Sequence, residues 1–169
     1  MSPPSPPIRL CKIALTACSC AFLALVVFNN ATDYGSNYQF IRHVLSMDTT
    51  FPGNSGLWRA VSSAAACRVF YGAIIAWEAA AGILIGAGAL RLWKARAAPA
   101  AGWERAKSLA AIGLTASLVQ WYFAFITVGG EWFLMWQSRS WNGQEAALRM
   151  FVIMGLSLVF LCARDREQP

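Results

Sequence analysis

The sequence predicts an all-α membrane protein with four transmembrane helices and a short amphipathic helix in the first outer loop. Three observations carry that expectation. Hydrophobic residues make up 57% of the 169 positions and charged residues 13%, the composition of a chain solvated by lipid. Four apolar runs are each about long enough to cross roughly 30 Å of hydrocarbon at about 1.5 Å per residue. The basic residues cluster beside those runs, without the interleaved aromatic platforms that would make a net charge of +6 a nucleic-acid surface. The bilayer is therefore an expected partner, and nucleic acid is not.

The first nine residues, MSPPSPPIR, are proline-rich and read as a disordered tail. Span one covers about residues 10–28. A basic start before an apolar run is also the signal-sequence pattern, and Leu15-Thr16-Ala17-Cys18 resembles a lipoprotein processing box. Only Ile13 and Ala14 separate that box from Lys12, too few for the apolar region processing needs, so an uncleaved helix is expected.

The chain then turns polar for its longest interruption, Asn29 to Arg59, which holds His43, the single histidine. Within the outer loop 29–68, Tyr34, Tyr38, Ile41 and Leu45 recur at helical spacing with Val44 beside them, while Asn37, Arg42 and Ser46 fall elsewhere. That pattern predicts an amphipathic helix lying on the outer membrane surface or packing back on the bundle. Asp33 and Asp48 bracket it. Phe51-Pro52-Gly53-Asn54 reads as the turn into span two, with Asp48-Thr49-Thr50 bracing that turn rather than forming an ion site. Asn30-Ala31-Thr32 is a weak match to a glycosylation acceptor.

Span two covers about residues 69–90, interrupted only by Glu78, and an earlier start capped by Asn54 or Ser55 is the alternative. A basic linker, 91–107, leads to span three, about 108–128, which contains Gln120 and ends at Gly129-Gly130. The second outer loop, 129–143, is aromatic and polar, with Glu131, Trp132, Phe133, Trp136, Arg139 and Trp141. Span four covers about 144–163, with Asn142 as its cap.

Nine of the fourteen bases fall in the start, the linker and the end. Under the positive-inside rule both termini are cytoplasmic and the two other loops face outward. Trp58, Trp132, Trp136 and Trp141 then line the outer interface, and Trp93 and Trp103 the inner one.

Glu78 is the first residue that could carry chemistry, because a carboxylate within a span is costly unless neutral, paired or hydrated. Counted from the inner ends of spans two and three, Glu78 and Gln120 share a depth, so a hydrogen-bonded intramembrane pair is expected. The plain reading is structural glue, and the sharper one a proton-binding carboxyl of a small proton-coupled transporter or channel. Against transport stand the small bundle and the lack of a second buried acid.

A lone histidine does not make a haem or metal site. His43 is expected to pack or hydrogen-bond in its loop, with quinone contact or a pH-sensitive partner contact as alternatives. The five cysteines form no CxxC pair, so neither a disulfide framework nor zinc is predicted. No nucleophile–base set is visible, and no catalytic residue or cofactor is assigned.

The outer loops are expected to form one aromatic and polar cap that recognises another protein or lipid headgroups. Its candidate recognition residues are Tyr34, Tyr38, Arg42, His43, Asp48, Trp58, Glu131, Trp132, Trp136 and Trp141. The expected role is that of an accessory or stabilising subunit of a larger membrane complex, with a membrane-protein partner or a homo-oligomer; an enzyme is not favoured.

Two stretches, NNATDYGSNYQFIRHVLSMDTTFPGNSGLWRA (Asn29 to Ala60) and GGEWFLMWQSRSWNGQEAALR (Gly129 to Arg149), resemble the hallmark loops of a bacterial family of predicted small integral membrane proteins, the domain of unknown function DUF2165. The resemblance extends over nearly the whole chain except its proline-rich start and charged end. It implies four spans in the inner membrane of Gram-negative bacteria, with the outward side periplasmic. It brings no catalytic residue with it.

Overall fold

Backbone polar groups in hydrocarbon must satisfy one another, and every apolar run is helical. The structure, a computed structural model, describes residues 6–164. Helix α1 spans Pro6–Thr32, α2 Tyr34–Ser46, α3 Ala64–Lys94, α4 Ala100–Ala106, α5 Ser108–Val119 and α6 Gln144–Cys162. The third span continues beyond α5 as a π-helical segment, Gln120–Trp132. Four stretches are long and apolar enough to cross a membrane: Pro7–Thr32, Ala64–Lys94, Ala100–Trp132 and Gln144–Cys162.

The spans close into a four-helix bundle. Helix α3 packs between α1 and α5, while α6 contacts α5, the π segment and α1. Glycines let α3 and α5 approach backbone to backbone, the membrane alternative to interlocking large side chains. A Cβ on Gly88 would lie 2.6 Å from Ala110 Cα, and one on Gly113 would lie 2.8 Å from the Ile85 amide nitrogen.

Two apolar clusters divide the interior. One joins Ile13, Leu23, Ile85, Trp103, Leu114 and Met154 along the half of the bundle nearer the termini. The other joins Ile41, Val44 and Leu45 of α2 to Cys67 and Tyr71 of α3, and to Phe133 and Met135 of the second loop. Helix α2 therefore packs back on the bundle through the apolar face its spacing predicts.

Several boundaries differ from the sequence expectations. Residues 6–9, expected in the disordered tail, belong to α1; residues 1–5 lie outside the described residues. Arg9 is buried because its Nη1 donates to the carbonyls of Arg96 (2.9 Å) and Ala98 (2.7 Å), with the guanidinium 4.8 Å above Trp103. Those contacts also bury Trp103 completely, where an interfacial ring was expected. Lys12 and Lys107 both donate to the Ala163 carbonyl beyond the end of α6, a favourable place for cations.

Helix α3 starts at Ala64, capped by Ser63 Oγ accepting from the Ala66 amide at 3.4 Å. Asn54 does not cap it. Its Oδ1 accepts from Gly56 N at 2.8 Å and its Nδ2 donates to Gln137, so the side chain is committed within the loop. The Phe51–Asn54 turn is present, with the Asn54 amide on the Phe51 carbonyl and Gly53 at φ +74°, a backbone glycine adopts without a Cβ penalty. Span four begins at Gln144, one residue past Gly143, with Asn142 Oδ1 accepting from the Gln144 amide.

Candidate functional site

Two polar constellations emerge, one inside the bundle and one on the loop side. The inner one is built on Glu78, which is 2% exposed midway along α3. Gln120, 5% exposed at the start of the π segment, donates its Nε2 to Glu78 Oε1 at 3.0 Å. Asn30, in the last turns of α1, donates its Nδ2 to Glu78 Oε2 at 2.7 Å. The Asn30 carbonyl in turn accepts from the Tyr71 hydroxyl at 3.0 Å. Each carboxyl oxygen thus meets an amide from a different helix, and three spans are tied at one level.

Asn30 was missed as a member of this cluster because span one was expected to stop near residue 28. Its polarity at the edge of an apolar run was the visible signal. The structure carries α1 on to Thr32 and turns the Asn30 side chain inward. Glu78 is consequently midway along its own helix but level with the end of α1. Helix α3 projects past that end, and α2 packs beside the projecting turns.

The second constellation joins the two loops. His43 Nδ1 lies 2.8 and 3.0 Å from the carboxylate oxygens of Asp48, and its ring stacks on Trp141 with centroids 4.6 Å apart. Thr49 Oγ1 and Ser138 Oγ share a hydrogen bond of 2.8 Å, and Ser138 Oγ also accepts from the Trp141 amide. Gln137 Oε1 accepts from the Phe51 amide and from Asn54 Nδ2. Edge-on ring contacts pair Phe51 with Trp136 and Trp58 with Trp132, each at 5.8 Å. The guanidinium of Arg59 lies 5.9 Å from the Trp58 ring and 5.5 Å from that of Trp132.

The predicted recognition residues divide accordingly. His43, Asp48, Trp58, Trp132, Trp136 and Trp141 are drawn into one cross-braced cap. Tyr34 and Tyr38 stack on each other at 5.9 Å and lean on Tyr71, so they join α2 to α3 rather than loop to loop. Arg42 and Glu131 are exposed and take no part in these contacts. Residues absent from the sequence expectations, Gln137 and Ser138, supply the hydrogen bonds between the loops; nothing about a lone glutamine or serine in sequence marks it as a bridge.

No group of three or more His, Cys, Asp or Glu side chains suited to a metal occurs among the described residues. As it stands, the inner cluster can hold or exchange a proton on Glu78 within a hydrogen-bonded amide frame. The cap can present rigid aromatic and cationic surface. Neither a curated protein nor a solved structure matches the chain. The model of a family described as "Predicted small integral membrane protein (DUF2165)" matches residues 8–164, taking in the bundle and the cap together, and the chain belongs to that family.

Proposed function

We propose that this protein is an accessory or stabilising subunit of a larger complex in the bacterial inner membrane, with its termini cytoplasmic and its cap periplasmic. The observation that carries this reading is the Trp58–Arg59–Trp132 cluster, whose rings are 76% and 48% exposed although the loops beneath them are braced by hydrogen bonds. Tryptophan and arginine held rigidly at a surface lose little freedom when a partner covers them, and these residue types dominate binding energy at interfaces. The base distribution supports the orientation.

The test is isolation of the native protein in mild detergent, with its size and companions determined by native electrophoresis and mass spectrometry. A defined larger assembly is expected, weakened in the double variant Trp58→Ala/Trp132→Ala while the monomer stays folded. A solitary species for the wild type would overturn the reading. A second reading, a small proton-coupled transporter or channel, draws on one observation: Glu78 borders a cavity of about 350 Å³ between α1 and α3, beside Leu23 and Gly82. Under that reading Glu78→Gln abolishes proton flux in reconstituted vesicles.

A further inference from the structure

Beyond the recruiting role of the cap, we propose that the cleft enclosed by α2, α3 and the π segment binds a neutral, mostly hydrocarbon molecule of the bilayer whose single oxygen function reaches Gln120. The cleft has a volume of about 290 Å³, close to the lower end of small-molecule sites, roughly 300 Å³. Ile41 and Leu45 of α2 close it on the loop side, and the rim is formed by Phe70, Trp77 and Phe123, all exposed on the apolar outer faces of their spans. Its mouth therefore opens sideways into lipid rather than into water.

The π winding shapes one wall. Gln120, Ala124, Gly129 and Phe133 all line the cleft, and their spacing of four or five residues is what a helix closed by i→i+5 bonds keeps on one side. The opposite wall is held by the Trp77 indole N–H, which donates to the Ala116 carbonyl at 2.9 Å. That N–H is already used and does not compete for a ligand.

Gln120 makes this more than a greasy groove. Among the described residues no charged side chain lines the cleft, so a charged headgroup would be stranded there without a partner. Gln120 is more than nine-tenths buried and donates Nε2 to Glu78, whereas its Oε1 takes no hydrogen bond among the described residues. That oxygen keeps some open surface rather than being sealed inside the protein, and where the surface faces hydrocarbon an acceptor without a donor is a cost that a ligand hydroxyl removes. With the amide turned and Glu78 protonated, the carboxyl donates to Oε1 and the free N–H meets a ligand carbonyl instead. Either way the cleft offers one hydrogen bond at the base of a hydrocarbon-lined space.

The test is thermal unfolding of the purified full-length protein in detergent with dodecanol, 2-dodecanone or dodecane added. Saturable stabilisation is expected from at least one oxygenated probe, exceeding that from dodecane. Dodecanol acting alone identifies the hydroxyl arm, and 2-dodecanone acting alone the carbonyl arm. Ala73→Phe and Ala124→Phe, each placing a ring in the cleft, should raise the half-saturating concentration by an order of magnitude or more. Gln120→Leu should reduce the oxygenated probes to the level of dodecane. No saturable shift from either oxygenated probe, a response unchanged in both cleft-filling variants, or equal response to dodecane in the wild type would overturn the proposal. Loss of partner binding in the tryptophan variants leaves it standing, because those residues do not line the cleft.

Discussion

At the scale of single residues, the frame around Glu78 is the most consequential arrangement inside the bundle. Its two oxygens serve amides from α1 and from the π segment, so replacing it exposes how much of the packing is organised by hydrogen bonding. Glu78→Leu leaves Asn30 and Gln120 without their acceptor, at about 1–3 kcal/mol for each group stranded away from water. Glu78→Gln keeps an acceptor and adds a donor, so its loss should be distinctly smaller. Unfolding in mixed micelles of increasing denaturing detergent should rank wild type, Glu78→Gln and Glu78→Leu in that order. If Leu were as stable as wild type, apolar packing alone would be holding these helices at this level.

At the scale of the helices, α3 and α5 touch through glycine. Alanine in place of a helical glycine normally gains up to about 1 kcal/mol from propensity. At Gly88 that gain is outweighed, because the new Cβ would meet the backbone of Ala110, and backbone cannot rotate away as a side-chain end can. Gly88→Ala should therefore destabilise the bundle by about 1–3 kcal/mol through overpacking. Gly72, where an added Cβ would meet nothing within 4 Å, is the control, and Gly72→Ala should be neutral or stabilising. Opposite signs in thermal unfolding are the expected result, and equal signs would remove the close α3–α5 approach as the cause. The π segment belongs to this scale too. Gly129-Gly130 reads as a helix end, yet the Phe133 amide bonds to the Val128 carbonyl at 3.0 Å and the hydrogen-bonded ladder runs on to Trp132. In lipid a glycine pair does not release its backbone to water. A Cβ on Gly130 would meet the end of the Gln144 side chain at the start of α6, which can rotate aside, so proximity alone does not require glycine there.

At the scale of the whole molecule, the cap and the cluster of bases mark opposite ends. Arg9, Lys12 and Lys107 gather with the end of α6, while the two long loops close over the other end. The proposed orientation predicts that a membrane-impermeant maleimide applied to intact cells labels Glu131→Cys but not Arg105→Cys, both in a chain with its native cysteines replaced by serine. The reverse pattern would invert the topology and place the cap in the cytoplasm.

Composition and apolar run length were enough to determine the class and the four spans, because the bilayer imposes length and polarity on every crossing helix. The apolar face of α2 was legible for the same kind of reason, since Ile41, Val44 and Leu45 repeat at the helical period. The pairing of Glu78 with Gln120 could be anticipated from depth, because antiparallel neighbours of similar rise bring equal distances from one end to the same level. What only the tertiary structure decided is what depends on where one helix ends against another. Asn30 reaches Glu78 because α1 stops level with the middle of α3; Gln137 and Ser138 bridge the loops because the cap folds over; and Trp103 is buried because Arg9 covers it. The cleft beside Gln120 exists because three elements converge around a π-wound turn. Such meetings are set by long-range packing, which the local period of one stretch of sequence does not contain.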